Sequence, residues 1–251
     1  MKDTFLKVVN LLMNSKNIVF FTGAGISAES GVATFRGSDD SIWSKFKPEE
    51  LANFNAFMRN PDLVWEWYQY RREIISNVKP NPAHITIAKF EQYFPNLAVI
   101  TQNVDNLHKR AGSTNVFELH GNIERNYCIQ CHTYYNTSDF DLKSKSVPKC
   151  KCGGLIRPDI VWFGEALPEY TFSKSKEIAE TADIIFIIGT SGVVYPAAYI
   201  PVWGKQNGAK LIEINITYSE LSNYCDFTLL GKAGEILPVI FELFTQNVDK
   251  V

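Results

Sequence analysis

Four apolar, largely β-branched runs constrain the fold of this chain more than any other feature. The runs show no polar alternation, and each stops at a cluster of small or polar residues, a pattern typical of strands that helices cover on both faces of a parallel sheet. Ligands bind beyond the carboxyl ends of such strands, so we expect the clusters to converge on one site. The runs are 17–21 before TGAGIS, 97–100 before TQNVD, 183–188 before GTSG, and 210–214 before Asn215.

The chain is long enough for one large domain with a small insertion. Its 251 residues, 45% of them hydrophobic, can bury a full α/β core. We predict a Rossmann-like parallel sheet with helices on both faces, together with a helical insertion and an inserted small module that contains four of the cysteines. In the helical insertion, Asn60 as N-cap and Pro61 at the first helical position predict a helix over 61–76.

The first polar cluster contains a dinucleotide-binding pattern. Gly23, Gly25 and Ala28 satisfy G-x-G-x-x-G/A directly after a predicted strand, where glycines permit a tight turn and close approach of a phosphate. The same triplet also suits a plain strand-to-helix turn. In hydride-transfer enzymes an acidic residue roughly 20 positions later, at the end of the next strand, holds the ribose. Here that region is FRGSDDSIW, which does not resemble a strand, so such an enzyme is disfavoured.

The cysteines predict a metal site. Cys128 and Cys131 form one knuckle and Cys150 and Cys152 a second, 18 residues apart, as suits a tetrahedral zinc with four thiolates. Such a site has no open coordination position, so its role is structural. The alternative is a chance cluster of free thiols. The isolated Cys225 argues against a secreted disulfide framework and for a reducing cytosol.

Charge gives no argument for a nucleic-acid or membrane partner. With 25 basic and 27 acidic residues the net charge is −2, whereas a zinc ribbon on nucleic acid would need a basic face. Residues 5–13 have the apolar spacing of a packed amphipathic helix, not of a signal peptide. No apolar run approaches the ~20 residues that cross a bilayer. We expect a cytoplasmic protein, assumed monomeric, with no membrane and no specific nucleic-acid partner.

The histidines are ambiguous from the sequence alone. His120 follows the β-like run 116–119 and precedes a glycine, a place where a neutral imidazole could serve as a general base. A hydrogen-bonded core histidine is the competing interpretation for His120, and it is favoured more strongly for His84, His108 and His132.

Six segments taken together resemble the sirtuins, in the order found in that family. They are GAGISAESGVATFRG, TQNVDNLH, ELHGN, the paired cysteines, RPDIVWFGE and GTSGVVYPAA. The resemblance covers nearly the whole chain. It implies a single catalytic unit over 1–251 that consumes NAD to remove acyl groups from lysines of proteins or peptides. Its Rossmann-like parts would be 1–36, 78–120 and 157–251, with a cofactor-loop and acyl-pocket segment at 37–77 and a zinc module at 121–156.

The resemblance also implies a mechanism. The acyl-lysine oxygen attacks C1′ of the nicotinamide ribose, which releases nicotinamide and leaves an ADP-ribosyl imidate. His120 then activates a ribose hydroxyl, and water resolves the product into free lysine and O-acyl-ADP-ribose. His120 and Asn103 are the implied catalytic residues. Cofactor contacts are implied for Gly23, Ala24, Gly25, Ala28, Phe35, Arg36, Gln102, Asn103, Asp105, Gly189, Thr190, Ser191, Asn215 and Ala233.

The acyl-lysine peptide is expected to add as a strand between two segments. One segment contains Phe163, Gly164 and Glu165, and the other contains Gly192, Val193 and Tyr195. Two departures from the family pattern concern other regions. Ala33 stands where proline is usual, and the second knuckle is C-x-C where C-x-x-C is usual.

A Tyr-x-x-Arg spacing bears on the choice of acyl group. On the helix predicted over 61–76, Tyr68 and Arg71 share an apolar stripe, from which Arg72 points away. A guanidinium on such a stripe requires an anionic partner, and an internal carboxylate is one option. With Ala52 upstream, the pattern resembles the sirtuins that remove succinyl and malonyl groups. We therefore expect a succinyl preference with some deacetylation. The alternatives are a mainly deacetylating enzyme or a protein mono-ADP-ribosyltransferase.

Overall fold

A parallel sheet of six strands forms the centre of the molecule. The computed structural model describes residues 2–33, 48–141 and 143–248. Its strand order is β3-β2-β1-β7-β8-β9, with every neighbouring pair parallel. The strands are β1 Asn17–Thr22, β2 Asn96–Thr101, β3 Val116–Glu118, β7 Ile184–Ile188, β8 Lys210–Asn215 and β9 Phe227–Leu230.

The four strands predicted from apolar runs are confirmed and are the four central ones. Phe20 in β1 pairs with Val99 of β2 on one side and with Phe186 of β7 on the other, and all three side chains are fully buried. The edge strand β9 was not predicted. Its residues are mostly half-buried or exposed, so it lacks the continuous apolar run that marks a central strand.

Helices cover both faces of this sheet, as predicted. One face packs against α1, α6 and α10, and the other against α8 and α9. The helices are α1 Lys2–Met13, α2 Gly25–Ala28, α3 Pro48–Leu51, α4 Phe54–Arg59, α5 Pro61–Asn77, α6 Pro82–Phe90, α7 Leu107–Arg110, α8 Glu169–Glu180, α9 Tyr199–Gln206 and α10 Ala233–Val248. Within the described part of the chain, no helix is long and apolar enough to cross a bilayer.

A second, antiparallel sheet carries the cysteines. Its order is β5-β4-β6, with β4 at Gly121–Cys128, β5 at Tyr134–Asn136 and β6 at Ile156–Ile160. The register between β4 and β6 shifts between Asn122 and Asn126, where β4 bulges. Because β6 continues to Ile160, this sheet extends beyond residue 156, the end predicted for the module.

The helix predicted over 61–76 is α5. The Asn60 side chain accepts a hydrogen bond from Leu63 N at 3.2 Å, and Pro61 opens the helix. The prediction that Arg72 points away from the apolar stripe would leave this side chain exposed. Arg72 is instead buried, with 4% of its surface exposed. It donates to Ile123 O at 2.9 Å and to the side-chain oxygens of Gln69 and Asn126. A second buried face of α5 therefore packs against β4.

Candidate active site

The polar clusters that follow β1, β2, β7 and β8 meet at one edge of the large sheet. Gln102 Nε2 donates to Thr190 Oγ1 at 3.1 Å, and Asn215 Nδ2 donates to Thr190 O at 2.9 Å. Asn103 Nδ2 donates to Gly23 O at 3.1 Å. The convergence predicted from the four runs is therefore confirmed by direct hydrogen bonds.

The glycine loop after β1 packs directly on the loop after β7. Gly25 N donates to Gly189 O at 2.8 Å, and a Cβ on Gly25 would lie 2.7 Å from Gly189 Cα. A Cβ on Gly23 would lie 2.8 Å from Gly189 O. Gly189 itself has φ +59, a left-handed conformation that favours glycine. Ala24 lies between the two loop glycines. The loop thus exposes backbone where a side chain has no room, as close approach of a diphosphate requires.

A buried hydrogen-bond network lies below this loop. Ser27 Oγ donates to Asp105 Oδ2 at 2.7 Å, and Asn103 Nδ2 donates to Ser27 Oγ at 3.2 Å. Leu107 N donates to the other carboxylate oxygen of Asp105 at 2.9 Å. Burial raises the pKa of Asp105, against the opposing effect of these hydrogen bonds. Each of its oxygens retains a further lone pair, which suits the role implied for Asp105 as an acceptor from a carboxamide.

His120 lies at the end of β3, beside the same strand ends. Its Nδ1 is 2.9 Å from Gln102 O, and because a carbonyl only accepts, Nδ1 carries the proton. The lone pair is therefore on Nε2. Burial lowers the pKa of His120 from 6.5, which keeps the imidazole neutral at pH 7. This tautomer has a free Nε2 for accepting a proton.

Two further histidines belong to the buried network, and no sequence pattern predicted their position near the site. His84 Nε2 is 3.4 Å from Ser27 Oγ, and its ring lies edge-on to His108 at 4.9 Å. His108 Nε2 is 2.9 Å from Thr22 Oγ1. Burial lowers the pKa of His84 to about 4 and that of His108 well below its ordinary value. Both are buried histidines, as expected.

His132 is not a core residue, contrary to expectation. It is exposed and has φ +56, in the turn that follows Cys131. The prediction failed because this turn lies on the surface of the small sheet, where a left-handed residue closes the first knuckle.

The four cysteines of the small sheet form a compact cluster that fits zinc. Their Sγ atoms lie within 4.8 Å of one another, with Cys128 to Cys152 and Cys131 to Cys150 both at 3.5 Å. A tetrahedral site with Zn–S bonds of ~2.3 Å has S–S edges of about 3.8 Å. The C-x-C knuckle therefore reaches the required geometry. Tyr135 donates to Cys150 Sγ at 3.1 Å, and hydrogen bonds from Thr133 lower the pKa of Cys131 to about 6.

Tyr68 is at the centre of the predicted acyl pocket. It is fully buried, and its hydroxyl accepts a hydrogen bond from Trp162 Nε1 at 2.8 Å. The Arg71 guanidinium carbon lies 5.0 Å from the centre of the Trp67 ring and 6.0 Å from that of Tyr68. Ala52 packs in the same apolar cluster. The residues of the predicted pocket are thus neighbours.

Arg71 has, in the described part of the chain, no internal partner of the kind that the competing interpretation requires. Among the described residues, no carboxylate oxygen lies within 4.0 Å of its guanidinium nitrogens. Burial lowers the pKa of Arg71, and the charge interactions with Tyr68 and Asp105 oppose this shift. Arg71 is therefore close enough to Asp105 for their charges to interact.

The first predicted peptide-binding segment is fixed to the acyl pocket. Phe163 N donates to Ala52 O at 3.0 Å, and Glu165 forms a bidentate pair with the buried Arg157. Gly164, between them, has φ +87. The Phe163 side chain remains 50% exposed. This segment therefore has a fixed backbone and one accessible apolar side chain.

The remaining predicted contact residues occupy the other loops. Ser191, Val193 and Tyr195 are exposed or half-buried, whereas Gly192 is buried with φ +73 against Leu221. The first turn of α10 contains the buried Ala233, and the last residue of α2 is Ala28. Ala33 is exposed. Phe35 and Arg36 lie outside the described residues.

A parallel sheet whose strand ends converge on a glycine loop places this chain among the dinucleotide-binding α/β proteins, and the four-thiolate module narrows that class. The Sir2 family model matches residues 23–196, more than half of the chain. The chain belongs to the Sir2 family, the sirtuins, and is an NAD-dependent enzyme with a structural zinc site.

Relatives and solved structures agree over the whole length. The NAD-dependent protein deacylase of Pyrococcus furiosus is 52% identical over 241 residues, which cover 94% of this chain and 96% of that protein. A Sir2 homolog in complex with NAD superimposes with a TM-score of 0.90 at 43% identity, covering 96% of this chain and 94% of that chain. Sir2Af2 bound to a myristoylated histone peptide has a TM-score of 0.82 at 38% identity, with full coverage of both chains.

Proposed function

We propose that this enzyme removes acyl groups from lysine side chains of proteins and consumes NAD in the reaction. The observation that carries the proposal is the neutral His120, whose Nδ1–H is committed to Gln102 O while Nε2 has no hydrogen-bond partner among the described residues. The name of the Pyrococcus furiosus relative and the acylated peptide bound to Sir2Af2 support the same activity. The products would be nicotinamide, O-acyl-ADP-ribose and free lysine.

Each group in the site has a task that suits its surroundings. The glycine loop would hold the diphosphate with backbone N–H groups, and Asp105 would accept the carboxamide N–H of nicotinamide. Asn103 lies between Gly23 O and Ser27 Oγ and would line the ribose. His120 Nε2 would take the proton from a ribose hydroxyl, which then attacks the acyl carbon.

The acyl group we propose is succinyl or malonyl in preference to acetyl. Its terminal carboxylate would pair with Arg71, which has no carboxylate partner among the described residues. The same carboxylate would accept a hydrogen bond from the Tyr68 hydroxyl. Burial raises the pKa of Tyr68, so this hydroxyl stays protonated near neutral pH and serves as a donor. Ala52, 5% exposed, belongs to the same apolar cluster as Tyr68, and its small side chain would take up little of the space that a longer acyl group needs.

Peptides that differ only in the acyl group test this proposal. Arg71→Met should lower the ratio of kcat/KM for succinyl over acetyl peptide by about 10- to 150-fold, because a hydrogen bond to a charged group contributes about 1.5–3 kcal/mol. Arg59→Met is the matched control, since Arg59 is an exposed arginine at the end of the neighbouring helix α4. Mass spectrometry of the products measures both reactions. Equal loss of both activities in Arg71→Met and in Tyr68→Phe would mean that the pair is structural.

A further inference from the structure

The hydrogen bond between Trp162 and Tyr68 has a fixed direction. An indole N–H donates and never accepts, so the Tyr68 oxygen is the acceptor in the 2.8 Å contact with Trp162 Nε1. The phenol must therefore direct its own proton elsewhere. No acceptor for that proton is found among residues 2–33, 48–141 and 143–248. A fully buried hydroxyl is thus held as a donor without a protein acceptor in the described chain.

The indole that imposes this direction is itself held in place. The guanidinium carbon of Arg157 lies 3.3 Å from the centre of the Trp162 ring, and Phe57 packs on the same ring at 5.3 Å. Arg157 is 2% exposed and bonded to both carboxylate oxygens of Glu165. Glu165 Oε2 also accepts from Trp162 N at 2.8 Å. Ring and backbone of Trp162 are therefore fixed by one ion pair, between the buried Arg157 and the half-buried Glu165.

We infer that Trp162 is a specificity-determining positioning residue: its indole N–H occupies the acceptor side of Tyr68 and directs the hydroxyl proton toward a carboxylate on the acyl group. This inference rests on the proposed succinyl and malonyl preference. Trp162 does not touch the carboxylate in this arrangement and acts through Tyr68. Without the indole, the hydroxyl proton is free to rotate, and the pocket loses an oriented donor while it keeps the phenol.

Apolar volume and donor orientation can be separated by the choice of substrates. A butyryl group has the same carbon chain as succinyl but ends in a methyl group in place of the carboxylate. The ratio of kcat/KM for succinyl over butyryl peptide therefore reports carboxylate recognition and leaves pocket width aside. Trp162→Phe keeps an aromatic ring against Arg157 and Phe57 and removes the N–H donor together with the pyrrole part of the indole.

A second buried tryptophan supplies the matched control. Trp65 on α5 is 1% exposed, and its Nε1 has no hydrogen-bond partner among the described residues. Trp65→Phe removes the same atoms from a buried site without removing a hydrogen bond to Tyr68. Equal folding of both variants, checked by thermal melting and zinc content, makes their kinetics comparable.

We expect Trp162→Phe to lower the succinyl-to-butyryl ratio about two- to tenfold, the range for one neutral hydrogen bond. Trp65→Phe should leave the ratio within about twofold of wild type. In a Tyr68→Phe background, which has no hydroxyl to orient, Trp162→Phe should change the ratio no further.

Three outcomes overturn the inference, and one of them also overturns the proposed function. A wild-type ratio near one would remove the acyl preference and this inference together. A wild-type preference that Arg71→Met abolishes and Trp162→Phe leaves intact would overturn the role of Trp162 alone. An effect of Trp162→Phe that persists in the Tyr68→Phe background would show that Trp162 acts by packing and not through the hydroxyl.

Discussion

The two sheets of this enzyme are stabilised by different interactions. The six-stranded sheet has strands such as β7, in which all five side chains are buried, and extended apolar clusters on both faces. Among the described residues, the cluster that belongs to the three-stranded sheet has three buried members, Cys128, Cys150 and Ile156. Its edge strand β5 exposes 65% of Tyr134. We therefore expect apolar burial to stabilise the first sheet and the second to depend on its metal.

The small sheet nevertheless adjoins the proposed catalytic base, because one end of each long strand lies next to His120 or Val161. β4 begins directly after His120, and β6 ends directly before Val161. Val161 N donates to His120 O at 3.0 Å, and Gly121 pairs with Ile160. A zinc cluster at the far end of these strands thus supports the backbone of His120 and, one residue after Val161, of Trp162.

Loss of zinc should lower the stability of the protein more than the other changes do. The small sheet should open first. A structural zinc contributes about 10–16 kcal/mol in small zinc-dependent folds, comparable to the whole stability of a domain. Cys128→Ser should lose the metal, melt at a lower temperature and become inactive. Amide exchange should rise in β4–β6 before it rises in β1, β2 and β7. Metal content and hydrogen exchange by mass spectrometry are the measurements.

Cys225→Ser is the control for this prediction, since Cys225 lies outside the cluster and near Leu221 O. It should retain zinc and activity. A Cys128→Ser protein that is zinc-free, fully folded and active would contradict the assignment of a structural metal.

A cavity in the core of the large sheet should have the opposite effect: it should destabilise that sheet and leave the zinc site intact. Phe186 is fully buried and stacks on Phe20 at 4.9 Å between ring centres. Phe186→Ala should lower the free energy of unfolding by about 3–5 kcal/mol, with the folded protein still holding a full equivalent of zinc. Tyr134→Ala, at an exposed position of the small sheet, should cost less than about 0.5 kcal/mol. Urea denaturation measures the free energy of unfolding, and metal analysis measures the zinc content. Release of zinc by Phe186→Ala would contradict independent stabilisation of the two sheets.

The large sheet was predictable because its central strands are continuous apolar runs, and the site because each run ends in polar residues. β9 was missed because an edge strand has no such run. The burial of Arg72 depends on the Asn126 side chain and Ile123 O, contacts 54 and 51 residues away that periodicity within α5 does not reveal. The orientation of Tyr68 by Trp162, across 94 residues, was inaccessible for the same reason.

Low pH should reduce the free energy of unfolding through the buried histidines, by less than Phe186→Ala does. Below about pH 6.5 the unfolded chain takes up protons that folded His84, with a pKa of about 4, does not. The folded state then binds fewer protons, so stability falls as pH drops from 6.5 toward 4. At about 1.4 kcal/mol per pH unit, His84 should account for about 2 kcal/mol between pH 7.5 and 5.0.

Urea denaturation at the two pH values measures this contribution. His84→Gln should show a smaller loss between pH 7.5 and 5.0 than wild type, whereas the exposed His132→Gln should show the same loss as wild type. An unchanged pH dependence in His84→Gln would mean that the imidazole is protonated in the folded state.

The central claim is that His120 performs the chemistry at a site that other residues hold together. It is tested most directly by His120→Ala with NAD labelled in the ADP-ribose part. The variant should bind NAD within a fewfold of the wild-type affinity and deacylate ~10²–10⁴-fold more slowly. In the wild-type reaction, the label should be recovered in O-acyl-ADP-ribose. A rate within a fewfold of wild type would contradict the assignment of the base, and label attached to protein in place of the small product would indicate ADP-ribosyl transfer.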